Sequence, residues 1–204
     1  MPTQNQQTIK LPKPSFDGPV SVEKAILKRR SIREYNNQPL SLNHVAQLLW
    51  VSQGIVTKEG FRTVPSAGAL YPFDMYLVAG HIKDLDAGVY LYDPKNHQIT
   101  LTASGDKRSA LHAATYNHDC VRDGAASIVM TTVYEKTTQK YGDPGINYIN
   151  MEAGHASQNL YLQAVSLNLG TVAVAAIKPD DFKKILELPK NVEPIYLMPF
   201  GHIA

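Results

Sequence analysis

The sequence contains a single cysteine, Cys120. One cysteine cannot form an intrachain disulfide, and it cannot supply the several thiolates of a cysteine-based metal cluster. Its scarcity fits a reducing compartment, so we expect a cytoplasmic protein.

Long apolar runs and a large excess of one charge are also missing. No run of eighteen apolar residues occurs, so we expect no transmembrane helix. Residues 1–10 are polar and rich in Gln, and they lack the apolar core of a secretory signal, although a signal removed ahead of residue 1 is a separate question. The net charge of +2 is too small to indicate nucleic acid or an anionic membrane as a partner.

What remains is an ordinary globular composition. Hydrophobic residues make up 44% of the 204 residues and charged residues 19%, which suits one domain with a core of normal size. Residues 1–20 carry four prolines and little periodicity, so we predict an extended N-terminal arm followed by a single domain over residues 21–204.

Apolar periodicity and turn residues predict an order of helices and strands. Helices are predicted from Ser21 into Lys28, from Ser41 to Gly54, over Asp106–Ala114, over Asn147–Asn168 and over Pro179–Leu186. Strands are predicted over Phe73–Ala79, Gly88–Tyr92, Gln98–Thr102, Ser127–Val133, Thr171–Ile177 and Ile195–Phe200, with loops over 57–71 and 134–144. Because helices and strands mix without strict strand–helix–strand alternation, the order predicts an α+β fold.

The helix predicted over Asn147–Asn168 is apolar on more than one side. One stripe includes Ile149, Ala153 and Leu160, and a second includes Tyr161 and its neighbours. A helix with two apolar faces is buried on two sides, and the simplest partner for the second face is another copy of the chain.

The densest positive charge lies in the segment Lys28–Tyr35, called the basic segment below. If it is extended, Arg29, Ser31 and Arg33 point to the same side, and two guanidinium groups with a hydroxyl suit a phosphate. The alternative is a solvated helix end, where basic residues complement the helix dipole.

Two further stretches consist of small residues. The stretch Pro65–Pro72, called the small-residue loop below, precedes a buried strand and would let a flat ligand lie against its backbone, or it is a turn packed for steric reasons. The stretch Gly170–Ala176 follows the long helix and would expose backbone groups, although taken alone it is only a strand.

In their order along the chain, these stretches resemble a known family. The order Arg29-Arg30-Ser31-Ile32-Arg33, then the small-residue loop, then Glu152–Leu160, then Leu169-Gly170-Thr171 resembles the FMN-dependent nitroreductase superfamily. The second and third of these stretches are most similar to its SagB-type dehydrogenase branch. The resemblance covers residues 21–202.

The resemblance implies a nitroreductase-like fold, with a central mixed or antiparallel sheet flanked by helices. It further implies a homodimer with the long helix at the interface and two FMN sites there. Arg29 and Ser31 would bind the FMN phosphate and ribityl chain with Arg30 alongside, and Arg33 would lie near N1 and O2 of the ring. The implied cofactor-binding residues are Arg29, Arg30, Ser31, Arg33, Pro65, Ser66, Ala67, Gly68, Leu70, Ala173, Val174 and Ala175.

The implied chemistry is hydride transfer through flavin N5, from NAD(P)H to an acceptor such as a nitroaromatic or a quinone. No catalytic side chain and no metal is expected, because the flavin carries the reaction. Two alternatives stay open: SagB-type oxidation of azolines to azoles in a peptide-modifying system, and a flavin-binding module without turnover.

The chain departs from the family pattern at two places. Ala69 stands where many nitroreductases have Asn, which affects recognition of the ring. The sequence ends at Ala204, without the basic residue that many members have after the last strand, so we expect Arg29, Arg30 and Ser31 to carry more of the phosphate binding.

Other polar residues are assigned more ordinary roles. The spacing of His112, His118, Asp119 and Cys120 matches no zinc pattern. We expect His155 to be a hydrogen-bonded histidine of the interface and Glu152 to pair with an interface cation. Tyr141 and Tyr148 are candidates to cover the active site.

Overall fold

The structure, a computed structural model, describes residues 7–204. Within this range the chain forms seven strands, seven α-helices and one 3-10 turn over Ala67–Ala69. In chain order they are β1 (Thr8–Lys10), α1 (Val22–Lys28), α2 (Leu42–Gln53), β2 (Phe73–Ala79), β3 (Gly88–Asp93), β4 (Gln98–Ser104), α3 (Arg108–Ala114), α4 (Asp119–Asp123), β5 (Ala126–Thr132), α5 (Glu135–Tyr141), α6 (Pro144–Ser166), β6 (Leu169–Thr171), α7 (Pro179–Leu186) and β7 (Glu193–His202).

The strands form one sheet in the order β1-β4-β3-β2-β5-β7-β6, and all neighbouring strands are antiparallel. The long central pair runs in register from Phe73 opposite Thr132 to Ala79 opposite Ala126. All of β5 is buried, and so is β2 except for Asp74, which explains why both read as nearly continuous apolar runs. The predicted α+β architecture, a central sheet flanked by helices, is therefore confirmed, and its sheet is antiparallel.

Helices cover both faces of the sheet. On one face, Met75 and Leu77 of β2 pack in a core with α2 and α6. On the other, Tyr76 and Val78 pack in a second core with α3, α4 and α7. Because successive strand side chains point to opposite faces, one apolar strand supplies both cores.

Local signals define the ends of α2. The Ser41 side chain accepts a hydrogen bond from the His44 N–H at 3.2 Å, and His44 Nδ1 accepts one from the Ser41 N–H at 3.4 Å. This is a capping box in which His takes the place of Glu. The helix ends at Gly54. The residue there must be glycine, because a Cβ would lie 2.2 Å from Cδ1 of Trp50.

Two predicted boundaries are wrong, and two helices were not predicted. The strand predicted over Thr171–Ile177 ends at Thr171, and beyond it only Val174 forms an isolated bridge, to Leu197. The predicted loop 134–144 contains α5, a polar helix in which only Thr137 is buried, so it has no apolar periodicity to detect. The long helix begins three residues before Asn147, with Pro144 in its first turn, and α4 was not predicted.

Part of the predicted N-terminal arm joins the sheet. Thr8–Lys10 pairs with β4, Leu11 is buried, and the Pro12 carbonyl lies 2.8 Å from His97 Nε2. Residues 1–6 of the predicted arm lie outside the described residues. No helix among residues 7–204 has the length and apolarity needed to cross a membrane.

Candidate functional site

The basic segment leaves α1 and runs along the edge of the sheet. Arg29 ends the helix with φ −51° and ψ 125°, and the Ile32 N–H donates to the Thr171 carbonyl of β6 at 2.9 Å. Ile32 packs against Gly170, where a Cβ would lie 2.6 Å from Ile32 Cγ2. Ser31 and Arg33 are exposed while Ile32 is half-buried, which is the alternation expected of an extended segment.

Tyr161 of α6 joins the basic segment to the residues after β6. Its hydroxyl lies 3.2 Å from Ser31 Oγ and accepts a hydrogen bond from the Ala173 N–H at 2.8 Å. The Arg29 guanidinium lies over the Tyr161 ring, 5.3 Å from its centroid. From the sequence, Tyr161 was assigned only a packing role. The available signal was a Tyr hydroxyl within an apolar stripe, since a buried Tyr needs a polar partner.

The cations of the basic segment have no carboxylate partner. In the part of the chain that the structure describes, no salt bridge includes Lys28, Arg29, Arg30 or Arg33. Arg30 instead donates to the carbonyl of Arg29 at 2.7 Å and to that of Leu27 at 3.1 Å. Two cavities of about 380 Å³ each adjoin the segment, one lined by Ser31 and Arg33 and the other by Lys28 and Arg30. Guanidinium groups without an acidic partner suit a phosphate.

Within residues 7–204, only one of the implied cofactor-binding residues Ala173, Val174 and Ala175 has a backbone N–H without a partner. The Ala173 N–H is bound to Tyr161, and the Val174 N–H donates to the Leu197 carbonyl at 2.9 Å. Among residues 7–204, the N–H of Ala175 has no partner, and this residue is exposed.

The small-residue loop has an unusual backbone. Gly68, Ala69 and Tyr71 have φ of 63°, 54° and 46°. The Ala69 N–H donates to the Ser66 carbonyl at 3.0 Å, and the Tyr71 N–H donates to Ser66 Oγ at 2.9 Å. Leu70 closes the 3-10 turn through a bond from its N–H to the Ala67 carbonyl. Positive φ at non-glycine residues is strained, so neighbouring contacts must hold the loop.

The first half of α6 lies against this loop across a cavity of about 280 Å³. Its lining joins two of the stretches singled out in the sequence, namely Pro65, Ser66, Ala67, Tyr148, Met151, Glu152 and His155. Glu152 is only 3% exposed. Burial raises the pKa of Glu152 to about 7, against the lowering effects of the Ser66 hydroxyl and the Arg62 charge.

Tyr141 and Tyr148 lie beside the small-residue loop. Their rings meet edge to face with centroids 5.3 Å apart, and a Cβ on Gly68 would lie 2.7 Å from the Tyr141 hydroxyl. Gly68 and Leu70 shape the loop without lining the cavity.

The predicted site residues therefore form two groups in one chain. The basic segment and Ala173–Ala175 meet at Tyr161, whereas the small-residue loop lies beside Glu152. Nine residues of α6 separate Glu152 from Tyr161, a rise of roughly 13 Å along the helix. Within residues 7–204, no hydrogen bond or salt bridge joins the basic segment to the loop.

Comparison with known proteins shows that residues 26–202 match the nitroreductase family. The chain belongs to the nitroreductase family. A Methanocaldococcus jannaschii protein assigned to the nitroreductases, MJ1384, is 37% identical over 182 residues, which cover 89% of this chain and 91% of that protein.

Two further comparisons agree with the assignment. The crystal structure of a Ralstonia eutropha protein assigned to the nitroreductases superposes with a TM-score of 0.85 and 28% identity, covering 97% of this chain and 90% of that one. The Escherichia coli microcin B17-processing protein McbC is 28% identical over 149 residues, 70% of this nitroreductase but only 54% of McbC. The match to McbC agrees with the resemblance to the SagB-type branch.

FMN is a common cofactor of nitroreductases, and the residues of this nitroreductase fit it. Among the described residues, the cations near Ser31 have no carboxylate partner and suit a phosphate, and the Ala175 N–H has no acceptor and suits one on the ring. The small-residue loop offers backbone and Cβ atoms where larger side chains would block a flat ring.

The remaining polar residues have other surroundings. His112 Nε2 lies 3.1 Å from Asp119 Oδ1, and Asp119 also pairs with Arg122 at 3.0 Å. Cys120 is buried, which raises the pKa of its thiol. His155, expected at an interface, is exposed in the single chain.

Proposed function

We propose that this nitroreductase is an FMN-dependent oxidoreductase that passes electrons from NADH or NADPH to a small acceptor, such as a nitroaromatic or a quinone. The supporting observation is that the cations of the basic segment have no carboxylate partner within residues 7–204, with Arg29 over the ring of Tyr161 and Ser31 at its hydroxyl. FMN, when bound, supplies two-electron transfer between donor and acceptor, so the chain needs no nucleophile of its own.

Arg29, Arg30 and Ser31 would hold the phosphate end of the cofactor. The face of the Arg29 guanidinium is stacked on Tyr161, which leaves its edge N–H groups available for a bidentate contact. The hydroxyl of Tyr161 fixes Ser31 beside them. The phosphate end is therefore organised by α6 as well as by the basic segment.

Arg33 and Ala175 would act at the ring. Arg33 is exposed and has no acidic partner among the described residues, so its charge is available to stabilise negative charge on a reduced ring. The Ala175 N–H would donate a hydrogen bond at the ring edge. Both groups orient and stabilise, and neither reacts covalently.

We further propose a homodimer in which the small-residue loop of a second copy completes each site. Support comes from the separation of the two groups in one chain and from the uncovered face of α6. That face exposes Tyr148, Met151 and His155 around Gly154, where a Cβ would have no atom within 4 Å. An open glycine on an otherwise large-residue stripe allows another backbone to approach.

The experiment is reconstitution followed by anaerobic mixing with NADH and with NADPH. Protein incubated with FMN and desalted should keep the flavin absorbance, lose it within seconds of mixing with one of the two donors, and regain it on addition of a quinone. Protein that stays colourless after incubation would overturn the proposal. A bound flavin that only dithionite reduces would replace it with a binding module, or with a dehydrogenase that takes another donor.

A second candidate is oxidation of azolines to azoles, favoured by the similarity to McbC, whose name describes microcin B17 processing. In that case the azoline itself would be the electron donor. A synthetic azoline peptide should then bleach the flavin under anaerobic conditions and lose the mass of two hydrogen atoms. NAD(P)H-dependent bleaching without any mass change in the peptide would favour the first candidate.

A further inference from the structure

Glu152 is the one carboxylate that is buried among residues 7–204, and nothing above uses it. It extends from α6 to the cavity beside the small-residue loop. Its Oε1 atom is inaccessible to solvent and has no hydrogen-bond partner within the described chain. A buried carboxyl oxygen without a hydrogen bond costs free energy, so its presence beside a strained loop calls for a role.

Ser66 of the loop and Glu152 of α6 line the same cavity. Ser66 Oγ accepts the hydrogen bond of the Tyr71 N–H at 2.9 Å, so the hydroxyl hydrogen remains free to be donated. The carboxyl of Glu152 borders the same cavity, and the Ser66 hydroxyl lowers the pKa of this carboxyl. A bond from Ser66 to Glu152 would fix the rotamer in which Ser66 holds Tyr71.

Arg62 also contacts the loop, at Tyr71. Its guanidinium lies 4.6 Å from the Tyr71 ring centroid and donates to Gln53 Oε1 at 2.8 Å, while its N–H donates to the Tyr71 hydroxyl at 3.3 Å. Arg62 Nε is itself buried without a partner in residues 7–204. Contacts from Ser66 and from Arg62 thus hold Tyr71 in its positive-φ conformation.

We propose that Glu152 is a positioning residue, whose carboxyl holds Ser66 and through it the strained small-residue loop. The proposal rests on the proposed function only where it assigns this loop to the flavin ring. The effect of Glu152 on loop opening is a property of the cofactor-free protein and is tested in that protein.

The groups around Glu152 set the direction in which opening of the loop depends on pH. The charged and titratable groups facing Glu152 are Arg62, from the segment after α2, and His155 and Tyr148, which line its cavity; Asp74 of β2 acts on Arg62. Opening the loop exposes Glu152 to water, where its pKa returns towards 4.5 from about 7. The closed loop is therefore most stable at low pH, and opening becomes easier as pH rises towards 7 and then levels off.

The test is amide hydrogen exchange at Ala69, Leu70 and Tyr71 in cofactor-free protein, corrected for intrinsic exchange rates. For wild type we expect the opening constant to rise about tenfold or more between pH 5.5 and pH 7.5. In Glu152→Gln, which cannot ionise but can still accept from Ser66, it should stay flat. Glu135→Gln, an exposed glutamate on α5, is the matched control and should follow wild type.

Two further variants separate positioning from general stability. Glu152→Ala and Ser66→Ala should each speed exchange at Tyr71 by about tenfold, with amides in β5 unchanged. If Glu152→Ala fails to fold, the comparison of wild type with Glu152→Gln across pH still decides. A flat wild-type profile, or equal slopes in wild type and Glu152→Gln, would overturn the proposal.

FMN titration gives the second readout. If only the closed loop binds FMN, the dissociation constant of wild type should increase with pH to the extent that the open loop becomes populated, while that of Glu152→Gln should not change beyond the control. If the exchange result holds and no variant binds FMN, the proposed function fails while the positioning role stands. If FMN binds and the exchange profiles are flat, the positioning role fails alone.

Discussion

At the scale of single residues, Tyr161 links parts of the site that lie far apart in sequence. Its hydroxyl contacts Ser31 and the Ala173 N–H, and its ring supports Arg29. Tyr161→Phe keeps the ring and removes both hydrogen bonds. We expect FMN affinity to fall by about 1–2 kcal/mol, because the Ala173 N–H loses its partner and Ser31 is no longer fixed.

Fluorescence titration with FMN measures this effect. Tyr116→Phe is the control, because Tyr116 is 63% exposed and its hydroxyl has no hydrogen bond among residues 7–204. Equal dissociation constants for Tyr161→Phe and wild type would show that the hydroxyl contributes nothing to cofactor binding.

The role of Arg29 in phosphate binding can be tested by comparing FMN with riboflavin, which lacks the phosphate. Arg29→Ala removes a charge-assisted contact and should weaken FMN binding by about 1.5–3 kcal/mol. Riboflavin has no phosphate, so its affinity should change far less. If both ligands lose the same affinity, Arg29 acts on the ring or on folding and does not contact the phosphate.

The ionisation of Glu152 predicts a pH dependence of folding. Its pKa is about 7 in the folded chain and 4.5 when unfolded, so the unfolded state releases the proton first as pH rises. Wild type should therefore lose about 3 kcal/mol of stability relative to Glu152→Gln between pH 4.5 and pH 7, with little further change above. Urea unfolding at several pH values checks this, and a constant difference between the two proteins would contradict it.

At the scale of elements, contact between the basic segment and β6 requires Gly170. A Cβ there would lie 2.6 Å from Ile32 Cγ2 and 3.0 Å from Tyr35 Cε1. Gly170→Ala should therefore push the segment off the sheet, with a loss of about 1–3 kcal/mol in stability and weaker FMN binding. Thermal unfolding and FMN titration measure the two effects.

Gly154→Ala is the control for the stability of the single chain only, because the face around Gly154 is the one proposed to meet a second copy. Gly154 lies on α6, where a Cβ would meet nothing within 4 Å of the single chain, and Ala favours a helix by about 1 kcal/mol over Gly. The monomer should therefore gain stability or stay unchanged. If Gly170→Ala behaves like Gly154→Ala, the close approach of Ile32 has no energetic consequence.

How far the sequence predicts each element depends on whether burial leaves a periodic trace. Core strands β2 and β5 and helix α2 carry apolar patterns, and all three were predicted. Helix α5 buries only Thr137, so its polar sequence resembles a loop. The early end of β6 depends on tertiary pairing, which small residues such as Ala173 and Ala175 cannot reveal.

The site shows the same division. The basic segment and the small-residue loop were recognisable because their residue types are rare in that order. Tyr161 was not, because its role comes from a hydroxyl contact across 130 residues of sequence to Ser31. The orphaned oxygen of Glu152 is likewise a property of packing, and the sequence suggested only an ion pair for it.

At the scale of the whole molecule, the two groups of site residues make a prediction about mixed dimers. Arg29→Glu disables the phosphate group, and Gly68→Val disables the loop, because a β-branched residue cannot adopt φ of 63° without strain. If each site takes its cations from one copy and its loop from the other, a mixed dimer has one intact site and one doubly damaged site. Neither variant alone should retain FMN.

Equimolar mixing after dissociation should therefore restore FMN binding to about a quarter of the wild-type level per chain, since random pairing makes about half of the dimers mixed. Far-UV circular dichroism must show that both variants are folded, and a chain carrying both substitutions, mixed with wild type, checks the pairing statistics. In that mixture, only dimers made of two wild-type chains should bind FMN. If the two single variants bind no FMN when mixed, the cations and the loop serve the same site within one chain, and the separation along α6 must close by movement within the monomer.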